Sequence, residues 1–195
     1  MLTVPKIMTE RTVLTLLQHY EYQVLTDYYQ NNRSHLSPWE PEKKQGYFDE
    51  SQVRARLQAS NDLFVAGGAV NFVARGNIDR DGEISADLNG QVLGVCNFTN
   101  IIQGPFQACY LGYSIDKTIQ GQGVMREILL AGLGYVFSEF NLNRVMANYI
   151  PDNERSGRLL ASLGFEKEGL AKSYLKIDGR WQDHILTSKL NTELT

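Results

Sequence analysis

Tyr113-Ser114-Ile115-Asp116-Lys117-Thr118-Ile119-Gln120-Gly121-Gln122-Gly123-Val124-Met125 is the most informative segment of the chain. It runs from a strand through a short loop and a glycine pair into a helix. Glycines let backbone approach a ligand closely, and the helix that follows offers unpaired N–H groups and about half a positive charge at its N-terminus. Together these make a pyrophosphate site that needs no basic side chain. The alternative is a pair of ordinary turn glycines. Two better-known phosphate motifs fail. No Gly-Lys-Ser/Thr follows, and Arg126 stands where a dinucleotide fingerprint needs its third glycine.

Working outward, Val92–Ile102 and Ala108–Ile115 read as two strands joined around Gln103-Gly104-Pro105. Met125, Leu129, Gly132, Leu133, Val136 and Phe140 recur at helical spacing, which predicts a helix over about 121–140. Arg144 to Ile150 reads as a strand. Asp152 or Asn153 caps the next helix, with Leu159, Leu160 and Leu163 inward and Gly164 at its end. Phe165–Ile177 and Arg180–Leu190 form a hairpin about Asp178-Gly179. Upstream, Thr12–Leu17 suits a first strand, and Tyr20–Asn31 and Glu50–Phe64 suit helices. Ser37-Pro38-Trp39-Glu40-Pro41 must be loop, Ala69–Ala74 a strand, and 76–90 a polar hairpin loop. The expected fold is α/β in the α+β sense, a central twisted mixed sheet flanked by helices. One domain is expected over 1–195, with its core at about 10–190.

The chain has 195 residues and 43% hydrophobic side chains, enough for a core without staples. Its 19 basic and 22 acidic residues leave a net charge of −3, which argues against a nucleic-acid site. Residues 1–98 hold 9 basic and 12 acidic side chains, so the acidic surplus sits there, including Glu40, Glu42, Asp49 and Glu50. Cys96 and Cys109 form neither a disulfide framework nor a CxxC zinc pair, and His19, His35 and His184 lack ligand spacing; no metal is expected. Met1-Leu2-Thr3-Val4-Pro5-Lys6 has no signal-peptide pattern. The uncharged run 88–115 is too polar for a bilayer span. A cytoplasmic protein with no membrane contact is the expectation.

Gln120-Gly121-Gln122-Gly123-Val124-Met125 resembles the Q/R-x-x-G-x-G/A signature of the GNAT acetyltransferase superfamily, whose backbone amides hold the pyrophosphate of acetyl-CoA. Asn153-Glu154-Arg155-Ser156 and Leu163-Gly164-Phe165-Glu166-Lys167-Glu168-Gly169 match its second marker in spacing and order. Pro38-Trp39-Glu40-Pro41, Ala108–Ile115, Met146-Ala147-Asn148-Tyr149 and Ile177–Trp181 resemble the RimJ type, which acetylates the N-terminal alanine of the fifth small-subunit ribosomal protein. The resemblance covers about residues 10–190. It implies acetyl-CoA as co-substrate, a ribosomal-protein N-terminus as partner, and possible contact with the small subunit. Its implied cofactor contacts are Tyr113, Ser114, Ile115, Gln120 to Met125, Asn153 and Ser156. Two departures stand out. Met125 stands where the superfamily prefers Gly or Ala, a difference the RimJ type shares; and Tyr110 and Leu160 stand where many members place a glutamate base and a tyrosine acid.

The chemistry survives those losses if the substrate is an α-amine. Its pKa of ~7.7–8.0 leaves on the order of a tenth neutral at pH 7, whereas lysine at ~10.4 is some 2.5 units worse. A weak or water-relayed base then suffices. By the resemblance, Ser156 donates to the leaving thiolate and Asn153 holds the pantetheine arm; the plainer reading of Ser156 is a first-turn helix residue. Glu40 is the candidate for meeting the substrate ammonium, against a solvated loop glutamate. Tyr110 either lines the substrate groove or packs. Backbone N–H groups near Tyr113–Ile115 would meet the carbonyl oxyanion, and Arg155 and Arg158 would contact adenosine phosphates. A small-amine acetyltransferase and a catalytically silent ribosome-assembly protein are the alternatives.

Overall fold

The computed structural model describes residues 4–192, so residues 1–3 of the N-terminal stretch read above and 193–195 lie outside it. Strands β1 (Ile7–Met8) and β2 (Val13–Thr15) lead into helices α1 (Tyr22–Asn31), α2 (Arg33–Leu36) and α3 (Glu50–Val65). Strands β3 (Val70–Ile78), β4 (Ile84–Ser85), β5 (Gln91–Ile102) and β6 (Ala108–Ile115) follow. Helix α4 (Val124–Glu139), β7 (Arg144–Tyr149), α5 (Glu154–Ser162), β8 (Glu166–Ile177) and β9 (Arg180–Leu190) complete the chain. The strands form one mixed sheet in the order β1-β2-β3-β5-β6-β7-β9-β8, with β4 paired to β3. Every pairing is antiparallel except β6 with β7.

Both sheet faces are covered, and β3 shows how the alternation of side chains divides them. Val73 joins Val92 and Val95 under α1–α3, where Tyr28, Leu36, Val53 and Leu57 pack. Phe72 and Ala74 point the other way, joining Cys96, Phe98 and the inner face of α4. Helix α4 comes very close to the sheet at Gly132, where an added Cβ would lie 2.9 Å from the Phe98 ring and 3.0 Å from Cys96 Sγ. The spacing read from Met125 to Phe140 is the buried stripe of this helix.

The element order expected from sequence is present, with local differences. The first strand shortens to Val13–Thr15 and gains β1 as neighbour. The loop at 37–39 closes as a 3-10 turn after α2, since Pro38 fits the first positions of a helix as well as a break. Strand β3 runs four residues past Ala74 because β4 caps its end through Asn77↔Ser85. Helix α4 starts at Val124 rather than 121, because Gly121 and Gly123 both hold left-handed φ values of 77° and 80°.

Candidate active-site cleft

Strands β6 and β7 pair only over Ala108–Tyr110 against Arg144–Met146. Beyond Tyr110 they part, while β6 stays paired to β5 as far as Ile115. The Asp116 amide donates to the Leu93 carbonyl at 2.8 Å, and this fixes the phase of the ladder. Residues 110, 112 and 114 turn their amides toward β5, so Leu111, Tyr113 and Ile115 present N–H and C=O groups to the gap. The gap opens into a cleft of about 970 Å³ between α4 and α5. Unpaired strand backbone is costly unless a ligand or water meets it. A ligand with alternating amide groups fits such an edge.

One wall is the glycine loop. Gly123 is the N-cap of α4 and supplies no side-chain cap, so the first-turn amides of Val124, Met125 and Arg126 are open donors. Nothing lies within 4 Å of a Cβ built on Gly121. Gln120, Gly121, Gly123, Val124 and Met125 line the cleft; Gln122 does not, and its carbonyl accepts from Arg11 Nη1 at 2.9 Å. Arg11 also donates through Nε to Glu127 Oε2 at 2.8 Å and through its amide to Oε1 at 2.8 Å. Sequence reading missed this clamp, since its partners are 116 residues apart.

Burial opposes ionisation of Glu127, but hydrogen bonds from Thr9, the Arg11 amide and the Arg11 guanidinium outweigh it and hold its carboxyl below the ordinary 4.5. A depressed carboxyl pKa adds stability above the unfolded value, and this is lost as pH falls through the folded one. Native protein should therefore lose stability below about pH 4.5, and Glu127→Gln should flatten that limb in denaturant melts. An unchanged limb would assign the acid sensitivity elsewhere.

The opposite wall is the start of α5. Asn153 caps it, its Oδ1 accepting from the Ser156 amide at 3.2 Å. Ser156 Oγ makes a short hydrogen bond to the Tyr113 hydroxyl across the cleft. Burial, moderated by that bond, pushes the Tyr113 phenol up to about 12. The Ser156 carbonyl also lies 3.5 Å from the phenol. Either hydroxyl can be the donor in the short pair, and a proton can pass along it. Gly157 permits this approach, since an added Cβ would meet the Tyr149 ring at 2.9 Å. Ser114 also lines the cleft, its hydroxyl hydrogen-bonded to that of Tyr28 at 2.9 Å on the opposite side of the sheet from Tyr113.

Glu40 and Trp39 line the same cleft, and Glu40 pairs with Lys43 at 3.3 Å. A smaller cavity of about 290 Å³, bordered by Glu40, Glu42 and Asp178, adjoins it. Of the acidic residues of the first half, Glu40 and Glu42 border these cavities, whereas Glu50 and Glu21 lie outside both linings and pair with Arg54 and Arg75. Tyr110 sits where the strands part and contacts Tyr174, outside the cleft lining. Arg155 Nη1 donates to Gln120 Oε1 at 2.6 Å, and the Gln120 amide in turn meets His35 Nε2 at 2.8 Å. Arg158 reaches the cleft rim while paired with Glu154.

Residues 11–166 match the family described as "Acetyltransferase (GNAT) domain". The chain belongs to the GNAT acetyltransferase family. It is 44% identical over 194 residues to the [Ribosomal protein uS5]-alanine N-acetyltransferase of Escherichia coli K12, covering 98% of this chain and 95% of that protein. The ribosomal-protein-S5-alanine acetyltransferase of Vibrio fischeri superposes with a TM-score of 0.87 at 36% identity, over 98% of this chain and 99% of the other. Mycobacterium smegmatis RimJ in complex with CoA-disulfide superposes with a TM-score of 0.83 at 25% identity, over 98% and 88%.

GNAT enzymes take acetyl from acetyl-CoA, and the cleft has donors for it: open amides on both β6 and α4, with space over Gly121. Leu160 is 1% exposed in the core and does not line the cleft. Cys96 and Cys109 are fully buried; burial pushes the Cys96 thiol up and that of Cys109 up to about 12. Neither serves as an acyl carrier. Among the described residues no group of His, Cys, Asp or Glu is placed to hold a metal, and no helix is long and apolar enough to cross a membrane.

Proposed function

We propose that this GNAT enzyme transfers acetyl from acetyl-CoA to the α-amine of an N-terminal alanine, with ribosomal protein uS5 as substrate. The parting of β6 and β7 in a chain 44% identical to a uS5-alanine acetyltransferase carries the reading. The chain acts as one domain, since a single sheet spans Ile7 to Leu190, and it works in the cytoplasm, where ribosomal proteins are made. Amides of Val124–Arg126 take the pyrophosphate. The exposed edge of Leu111, Tyr113 and Ile115 takes the pantetheine arm and the carbonyl oxygen, with Asn153 shaping the far wall. Direct attack by the bound amine fits a cleft without a reactive thiol.

The test is incubation with acetyl-CoA and an Ala-first peptide, a polyamine panel and a ribosomal-protein extract, read by mass spectrometry. An acetyl group on the Ala-first peptide and on uS5 supports the reading. Acetylated polyamine with an untouched peptide replaces it with small-amine transfer. Ser156 provides the thiolate's proton. Ser156→Ala should lower kcat about a hundredfold while acetyl-CoA affinity stays within about threefold; equal loss of both would make Ser156 a binding residue.

A further inference from the structure

The acetyl-transfer reading leaves one group unexplained. A positively charged α-ammonium must lose a proton before it attacks, and the family glutamate is Tyr110 here. Away from the α5 wall, three histidine or carboxylate groups line the cleft: His35, Glu40 and His184. The Nε2 of His35 is taken by the Gln120 amide, and Glu40 is paired with Lys43. His184 differs from both. It lies on β9 opposite Ala171, beside the part of β7 that has left β6.

His184 is 4% exposed and lines the cleft. Its Nδ1 lies 3.1 Å from the Gln182 carbonyl. A carbonyl oxygen only accepts, so Nδ1 is the donor of this bond, and in the neutral ring Nε2 is the nitrogen with the lone pair. Nε2 makes no hydrogen bond among the described residues, and His184 is one of the residues that line the cleft. The Tyr174 ring packs against the imidazole at 5.4 Å, and the Asn148 amide holds the Tyr174 hydroxyl at 3.2 Å. The titratable groups around it are Tyr174, Tyr110 beyond it, and Asp183, whose carboxylate is turned away to the Ser173 amide at 2.8 Å. A buried nitrogen base with an oriented tautomer and no protein partner is what an incoming ammonium needs.

We propose that His184 is the general base of acetyl transfer. This rests on the reading of the cleft as an α-amine acetyltransferase site. Nε2 removes one proton from the ammonium, directly or through one water. The neutral nitrogen then forms the C–N bond at the thioester carbonyl as the C–S bond breaks. The remaining excess proton on nitrogen passes to the departing sulfur by way of Ser156, and His184 later releases its proton to water. One proton is lost per acetyl group moved, and charge balances.

The experiment measures kcat for native enzyme and for His184→Gln with an Ala-first peptide from about pH 6.5 to pH 9.5. The variant should be slowed about a hundredfold at neutral pH. Its deficit should shrink steadily above ~8, where the peptide arrives already neutral. Added imidazole should restore part of the rate to His184→Ala, with acetyl-CoA affinity near native as the check on folding. A deficit constant across pH, a kcat within twofold of native, or no rescue in a variant that binds acetyl-CoA normally overturns the assignment. Nitrogen NMR of the native protein tests it without any variant: the neutral ring should show Nδ1–H and a bare Nε2, and the opposite tautomer overturns it. Failure of the native enzyme to acetylate any α-amine would instead sink the underlying functional reading.

Discussion

Gly123→Glu should weaken acetyl-CoA binding by at least about a hundredfold in calorimetry, equal to about 2.7 kcal/mol. Gly123 holds φ at 80° and leaves the first amides of α4 uncapped. A carboxylate there would sit beside the proposed pyrophosphate site and compete for the same donors. The left-handed backbone adds a separate cost, about 1–2 kcal/mol for any side chain. Gly123→Ala separates the two. It carries the strain without the charge, so its stability should fall by a similar amount while its affinity stays far closer to native. The introduced side chain also has a local partner, since a Cβ on Gly123 lies 3.7 Å from Arg11 Nη2. Should the new carboxylate capture Arg11 and leave affinity unchanged, the pyrophosphate does not sit on this helix end.

The second large effect is on stability. Gly132→Val should lower it by about 3 kcal/mol, or some 6–12 °C in Tm for a chain of this size. The built Cβ already falls 2.9 Å from Phe98 and 3.0 Å from Cys96, both fully buried, and valine adds two methyl groups beyond it. Neither neighbour has room to move in a close-packed core. The helix must lift, carrying its N-terminal amides with it, so acetyl-CoA affinity should fall as well. Gly134, two residues on, has nothing within 4 Å of its Cβ. Gly134→Ala should be neutral or stabilising by up to about 1 kcal/mol. Equal losses at both positions would mean helix propensity, and not close approach, explains Gly132.

Local patterns carried most of the fold into view before the structure. The spacing from Met125 to Phe140 is a property of one helix, and Asp178-Gly179 of one turn; each signal lies within a few residues. The glycine loop and Asn153 were legible for the same reason. Contacts between distant segments were not. Arg11 bonded to Glu127, Asn32 bonded to Asp116 at 2.8 Å, and Tyr113 bonded to Ser156 depend on where the sheet brings separate strands. His184 shows the limit best. Its sequence neighbourhood reads as an ordinary strand histidine, and only the divergence of β6 from β7 places it beside a cleft. Ser156 was identified by family resemblance, but its orientation depends on a phenol 43 residues away.

The burial of Cys96 and Cys109 has a practical use at the bench. Acetyl transfer releases one free thiol, on coenzyme A, for each turnover. Both protein thiols are shielded in the core and held in their protonated form at neutral pH. An aromatic disulfide reagent added to the folded enzyme should therefore colour only with product. Turnover can be followed continuously against a flat blank, and a rising blank would report unfolding of the central strands as it happens.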